Sequence, residues 1–510
     1  LLDAVERAGL MSLYHDGPFA TWGHFALRND CFPSGLEGMK RIVDKAKMRG
    51  IRIGAHTLTN FITTNDPYVT PAPHPHLALT GSSIVTEPIG PDDTEIPVAS
   101  PQYFDNEKAN WVHAVRIDDE IAVYRAVSED APYRLLDCCR GAFKTVASSH
   151  AKGTRIGKLL DHGYKVFFPD FELQRELVRN MADFFNATGV SQMDFDGHEG
   201  CYASGQGNMA ADLFALDFYN LTDHVVVNGS SRSSHFYWHI NHYLNWGEPW
   251  YEGFRESMQE YRINNQALLE RNYLPNMLGW YLLTATTTLA DMEWMLARAA
   301  GYGAGFALAS QIEAFEKNPE LGSILDAIRE WEKARRCGAF SQAQRVRLKD
   351  PGKEFRLEQA GEGWILYPYH VAGPFLHQQR TLAPGMPSSA EWEWTQQADE
   401  QPLRFIVRTT GDSGAVSELR MEIDHVHLLR LPVRLEAGQS LACDGTEQIR
   451  IYDTKGRQCE LLTLEDALPM LGPGSHKISF DCAFHGSPSP EVKVGFQAMG
   501  RGEPVRPSGT

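Results

Sequence analysis

The chain has 510 residues, with 48 Lys and Arg against 65 Asp and Glu and a formal net charge of −17 at pH 7. It is too long for one ordinary domain and long enough for a large barrel plus an accessory module. Such an acidic chain lacks the clustered Lys and Arg that hold nucleic acid or an anionic membrane surface, and no run of about 18 apolar residues is present to span a bilayer.

From residue 1 to about 61, helix and strand alternate as "LLDAVERAG", "LMSLYHDG", "SGLEGMKRIVDKAKMRG" and "IRIGAHTLTNF". Short apolar strands divided by amphipathic helices ending in Gly mark βα units and a parallel sheet. The alternation lapses near 70 and returns near 163 with "GYKVFFPDF", "ELQRELVRNMADFFNATG", "VSQMDFDG", "DHVVVNG", "LPNMLGWYLL", "LADMEWMLARAAGYG" and "AGFALAS". Seven or eight such strands predict an α/β fold, a (β/α)8 TIM-type barrel over residues 1–339. Residues 70–162 open Pro-rich and continue as short strands such as "SSIVTEPI" and "NWVHAVRIDDEIAVYRAVS", which predicts a β-rich insertion in a barrel loop. From 340 to 510 the helices give way to "GWILYPYH", "LRFIVRTTG", "SELRMEID", "EQIRIYD", "HKISFD" and "EVKVGFQAMG", the pattern of a C-terminal β-sandwich module.

Eight cysteines without a CxxC pair or regular spacing form neither a zinc site nor a disulfide scaffold, and are expected as buried thiols, with a bridge from Cys443 to Cys459 or Cys482 as the lesser alternative. The chain begins without Met, in mid-pattern. That leaves open a leader or preceding domain; a periplasmic or extracellular location is the expectation. Motifs for phosphate loops, dinucleotide folds, serine hydrolases and HExxH zinc enzymes are missing, so no cofactor is expected.

The chemistry concentrates in "MDFDGHEG", residues 193–200. Alternation along a strand sends Met193 and Phe195 to one face and Gln192, Asp194 and Asp196 to the other. Gly197 ends the strand, so the carboxylates fall at its C-terminal end, the face on which barrel enzymes carry their active sites. The structural alternative is that one Asp caps the next helix while the other holds a cation or an Arg.

The segment "RNDCFPSGLEGMKRIVDKAKMRGIRIGAHTL" resembles the passage from strand one to strand two in retaining α-glycosidases of the melibiase type (clan D) and related barrel glycoside hydrolases. In that family the fourth strand ends in Lys-x-Asp and its aspartate is the nucleophile. The resemblance makes Asp196 the nucleophile, with Asp194 in place of the lysine. After the fifth strand the family pattern has an Arg and then a Trp-flanked acid; here those are Arg232 and Glu248, the candidate general acid/base, between Trp246 and Trp250. Apolar surroundings of that kind raise a carboxyl toward its working range. A retaining mechanism needs the two carboxyl groups about 5–5.5 Å apart; Glu199 is the rival acid, and a solvated Glu at a helix start is the bland reading of Glu248.

The resemblance gives Asp16 the role of the strand-one aspartate that holds sugar hydroxyls. Trp22, His24, His56 and Asn60, near the ends of strands one and two, are further candidate sugar contacts, with Asp194, His198, Glu199, Arg232 and Trp246 around the carboxylates. Trp280 and Tyr281 offer a stacking face for a pyranose, although an aromatic on a barrel strand also fits the core. His198, His239 and His242 lack a matching carboxylate motif, so hydroxyl contacts or structural roles are expected and a catalytic metal is not. The sequence thus points to a glycoside hydrolase that cleaves a terminal α-linked sugar with retention. A uronate lyase using His56, His198 or Tyr237 as base and a non-catalytic carbohydrate-binding protein are the alternatives. The partner is a carbohydrate; sugar, linkage and oligomeric state are not legible. Trp392 and Trp394 are guesses for a carbohydrate role in the C-terminal module.

Overall fold

The strand "RIGAHTL" and the helix before it show how this chain builds its sheet. The structure, a computed structural model, describes all residues except 105–109, 232–236, 245–259, 273–274, 286, 319, 382, 384, 454–457, 465–466 and 508–510. By compactness the chain divides into two units. One comprises Leu1–Glu6, Leu10–Trp246 and Tyr273–Pro275; the other comprises Arg7–Gly9, Gly247–Asn272 and Asn276–Thr510.

In the first unit, β1 (Ser12–His15), β2 (Arg52–Leu58), β3 (Gln192–Asp196), β4 (Val227–Ser230) and β5 (Tyr243–Leu244) form one all-parallel sheet in chain order. Helices α1 (Gly35–Lys47), α2 (Phe171–Thr188) and α3 (Asn208–Leu221) lead into β2, β3 and β4. Sequential order with helical crossovers is the signature of a singly wound sheet. Helix α2 begins where Asp170 accepts hydrogen bonds from the backbone N–H of Glu172 (3.0 Å) and Leu173 (3.1 Å), a cap worth about 1 kcal/mol. It ends at Gly189, whose φ of 73° closes the last turn. Its buried stripe, Leu173, Leu177, Val178, Met181, Phe184 and Phe185, meets Ile53, Ala55, Met193 and Phe195 in one core. Each large apolar side chain buried there contributes roughly 1.5–3 kcal/mol.

"GYKVFFPDF" is not a strand of the parallel sheet. Only Val166–Phe167 is extended, in a small antiparallel sheet with Asp161–His162 and Ile62–Thr63. Pro169 lacks an N–H and Asp170 is already the helix cap, so the run is cut short. The strand carrying Asp194 and Asp196 is therefore third in its sheet, not fourth. Between β2 and α2, Leu79–Ile84, Arg155–Leu159, Ala114–Ile117 and Glu120–Val123 form a four-stranded antiparallel sheet, and Ile96–Pro97, Arg134–Leu136 and Ala126–Val127 form a second of three strands. Val85, Ile89, Phe104, Val115, Ile117, Tyr124 and Ile156 are among the residues of a separate core here.

In the second unit, β6 (Met277–Leu282) and β7 (Gly305–Ala309) pair in parallel around helix α4 (Leu289–Tyr302), which starts from a capping box of Thr288 and Asp291. Helix α5 (Leu321–Arg336) follows. The remainder is antiparallel: an eight-stranded sheet built on Gly363–His377 and Glu491–Met499, and a four-stranded sheet of Ala390–Gln396, Gly474–His485, Ala415–Ile423 and His427–Glu436. Side chains from both sheets, including Phe405, Val407, Met421, Leu431, Phe480, Val494 and Phe496, form one apolar core. Trp394 stacks on Phe496 at 5.1 Å, and Trp392 stacks between Phe375 and Phe480 at 5.3 and 5.8 Å, so both tryptophans pack the module rather than face a ligand. All eight cysteines are free thiols, which removes the bridge from Cys443.

Candidate active site

The register of the parallel sheet sorts its side chains into two environments. Gly54 pairs with Gln192, His56 with Asp194, Leu58 with Asp196, Asp194 with Gly229 and Gly229 with Tyr243. Ile53, Ala55, Met193 and Phe195, at the intervening positions, lie in the apolar core. The opposite face therefore carries polar groups, and these make two connected sets.

The deeper set centres on Asp194, which is buried and accepts a hydrogen bond from the Tyr243 hydroxyl at 2.7 Å. Tyr243 Oη is 3.0 Å from Tyr14 Oη and accepts from Gln192 Nε2 at 3.1 Å, while Arg52 Nε donates to Gln192 Oε1 at 3.1 Å. Two glycines make this convergence possible. A Cβ on Gly54 would stand 2.9 Å from the Tyr14 ring, and one on Gly229 would stand 2.5 Å from the Asp194 carboxylate. Burial pushes the Asp194 carboxyl up to about 6, against the pull of the two tyrosine hydroxyls, and burial also drives the Tyr14 and Tyr243 phenols well above their ordinary value.

The outer set is at the C-terminal ends of β2 and β3. His56 Nε2 is 3.3 Å from Asp196 Oδ2, and His56 Nδ1 is 3.3 Å from the backbone carbonyl of Asp16. An imidazolium can donate to both at once. Burial by itself would lower the His56 pKa, but the Asp196 carboxylate and the charge of Asp194 outweigh it and the net direction is upward. For Asp196, burial works upward, and the bonds from His56 and from the Gly197 N–H (2.8 Å) outweigh it, holding the carboxyl below its ordinary value. The Asp196 side chain keeps 33% exposure. One strand thus carries a sealed carboxyl that resists ionisation and, two residues on, an open carboxylate that favours it.

Of the residues singled out by sequence, His56, Asp194 and Asp196 come together here, with Asp16 joining through its carbonyl; the Asp16 side chain is 90% exposed. The other described candidates make contacts of their own. His198 is buried on the opposite face of the sheet, stacked on Phe195 at 5.4 Å and 3.0 Å from Ser230 Oγ, because Gly197 turns the chain back toward α3. Asn60 is fully buried and donates to Gln174 Oε1 at 3.2 Å and to the Gly200 carbonyl at 3.1 Å. Trp22 packs edge-on against Phe61, and His24 is held by Asp66 at 2.8 Å over the ring of Tyr68. In the second unit, Tyr281 is fully buried beneath the Arg262 guanidinium at 4.5 Å, a core position, and the neighbouring Trp280 backbone carbonyl accepts from Arg262 at 2.9 Å. Arg232, Trp246 and Glu248 lie outside the described residues, as does the side chain of Glu199.

Sequence reading missed Tyr14, Gln192 as a bonded partner, and Tyr243. The signal was available: Tyr14 and Tyr243 are each placed directly beside a strand glycine, Gly54 and Gly229, and a strand glycine marks a close approach.

No family model and no curated protein matches the chain. Among solved structures it is similar to trehalulose synthase MutB, at 9% identity over 94% of each chain with a TM-score of 0.39. It is similar also to a GH36 α-galactosidase from Geobacillus stearothermophilus in complex with raffinose, at 8% identity over 94% of this chain and 52% of that one, TM-score 0.36. A third is an α-galactosidase from Thermus thermophilus in complex with stachyose, at 12% identity over 64% of this chain and 59% of that one, TM-score 0.35.

Proposed function

We propose that the chain is a retaining glycoside hydrolase that removes a terminal α-linked sugar, with Asp196 as nucleophile and Glu248 as general acid/base. The architecture that goes with this reading is a (β/α)8 barrel over 1–339, a β-rich insertion over 70–162 and a C-terminal β-sandwich over 340–510. The observation that carries it is the state of Asp196: a partly exposed carboxylate at the C-terminal end of a parallel strand, kept ionised by His56 and the Gly197 N–H. A nucleophile must be anionic and open to the anomeric carbon; Asp196 meets both needs, whereas Asp194 is sealed from a sugar and ionises only at higher pH.

In this mechanism the Asp196 carboxylate attacks the anomeric carbon from the face opposite the leaving group. Glu248 gives its proton to the departing oxygen, and a glycosyl ester forms on Asp196. Water, deprotonated by Glu248, then opens the ester and restores the original configuration. His56 fixes one oxygen of Asp196 during both steps. Asp16, on the same rim, and Arg232 and Trp246 are the proposed contacts to sugar hydroxyls and ring.

Paired variants test it. On an aryl α-glycoside substrate, Asp196→Ala loses turnover by several orders of magnitude and azide restores part of it, giving a glycosyl azide of inverted configuration. Glu248→Ala loses much less on substrates with good leaving groups than on natural linkages. Near-normal rates in Asp196→Ala, or an equal loss on every leaving group in Glu248→Ala, would refute the assignment.

A further inference from the structure

The four-stranded antiparallel sheet of the first unit carries a second feature that the proposed chemistry does not use. Strands Ala114–Ile117 and Arg155–Leu159 pair with Arg116 directly opposite Gly157. Arg155, two residues before Gly157, is on the same face of its strand. The two guanidinium-bearing residues therefore flank a position with no side chain. A groove of about 360 Å³ opens here, lined by Arg116, Arg155, Asp118, Asp119, Leu79 and the rings of Pro73 and Pro75.

The groove brings two arginines and two aspartates together. Among the described residues, neither Arg116 nor Arg155 forms an ion pair. Arg116 Nη1 donates to the His74 carbonyl at 2.9 Å, which ties the guanidinium to the proline segment. Asp118, at the turn after Ala114–Ile117 with φ of 51°, is held by His150 Nδ1 at 3.0 Å. Burial and then the adjacent positive charge of Arg155 depress the Arg116 pKa, and the carboxylates of Asp119, Asp170 and Asp118 offset this only in part, so an anion seated between the two guanidinium groups would still relieve part of their repulsion. Gly157 is packed over by Leu79, 2.7 Å from where its Cβ would be, so the groove floor is apolar.

We infer that this groove is a saccharide subsite for a sugar bearing an anionic substituent, a carboxylate or a sulfate. The guanidinium groups of Arg116 and Arg155 take the oxyanion, Asp119 accepts from ring hydroxyls, and Pro73, Pro75 and Leu79 cover the C–H face. Neutral sugars would use only the last two sets and bind weakly.

The test is calorimetric titration of the full chain with tetragalacturonic acid, a sulfated neocarratetraose, neutral cellotetraose and inorganic sulfate, repeated with Arg155→Ala. Arg155 is exposed and makes no described bond, so its removal is expected to leave the melting temperature unchanged. At least one anionic tetrasaccharide binds about tenfold or more tighter than cellotetraose, and Arg155→Ala removes that preference. Preference for the uronide or for the sulfated sugar identifies the substituent. Because binding is read without turnover, and Arg155→Ala retains wild-type rates on a small aryl glycoside, the result is independent of the Asp196 assignment. Equal affinity for neutral and anionic sugars, sulfate binding as tightly as the saccharides, or an unchanged preference in Arg155→Ala, confirmed with Arg116→Gln, would overturn it.

Discussion

Among the described residues, each unit buries one carboxyl that burial pushes far up, and the two sit in very different company. In the second unit Glu293 of α4 is raised to about 7; it accepts from Trp331 Nε1 of α5 at 3.3 Å and from the Leu357 N–H at 3.1 Å. It is a clasp between helices and strand, with no ionised carboxylate beside it in its own hydrogen-bond set. In the first unit Asp194 is raised to about 6, with His56 directly opposite it and the ionised Asp196 two residues further along the same sheet face. A perturbed acid alone therefore marks burial. What distinguishes the Asp194 region is the open carboxylate beside the sealed one, with a histidine bonded to the open one.

The largest expected effect is on the pH dependence of stability. A carboxyl whose folded pKa exceeds its unfolded one stabilises the fold while protonated, and that contribution is lost as pH rises through the folded value. For Asp194 the loss runs from about 4 to 6, and for Glu293 from about 4.5 to 7. Each amounts to on the order of 3 kcal/mol. Urea unfolding across this range should show a flatter profile for both Asp194→Asn and Glu293→Gln, but only Asp194→Asn should also move the pH profile of turnover. A shift of that profile in Glu293→Gln would erase the contrast between the regions. Next in size, Tyr243→Phe takes from Asp194 a hydrogen bond that favours its ionised form, which raises its pKa further and costs about 1.5–3 kcal/mol at neutral pH. An unchanged unfolding midpoint would mean the tyrosine pair is not what holds Asp194. The smallest effect is expected for His56→Gln. Without the cation, burial raises the Asp196 carboxyl, so the acidic limb of turnover moves to higher pH while stability at neutral pH falls slightly. In the wild type, the stabilisation from this pair is lost as pH falls through the depressed Asp196 value and as it rises through the elevated His56 value. A limb that stays in place would detach His56 from Asp196.

Period-two alternation in "VSQMDFDG" was enough to separate Met193 and Phe195 from Gln192, Asp194 and Asp196, because a pleated strand leaves no other choice. Strand-end position likewise picked out His56. What alternation does not carry is distance: it cannot show that Tyr14 and Tyr243, 229 positions apart, meet over Asp194, nor that the Gly197 turn sends His198 back to the apolar face. The same limit explains "GYKVFFPDF", which has strand composition but is ended by Pro169 and the Asp170 cap. Strand-end position and chemistry make Asn60 a candidate sugar contact and leave Tyr281 open between a stacking face and the core; burial, visible only after folding, encloses both side chains.

Asp196 is the group proposed to bond to sugar. The most direct measurement is peptide mapping by mass spectrometry after inactivation with a panel of 2-deoxy-2-fluoro and 5-fluoro α-glycosyl fluorides, which form slowly hydrolysed glycosyl esters. One fluorosugar residue on the peptide that contains Asp196, absent from Asp196→Asn, is the predicted result. A label on Asp194, on Glu199 or on a carboxylate outside residues 192–199 would contradict it.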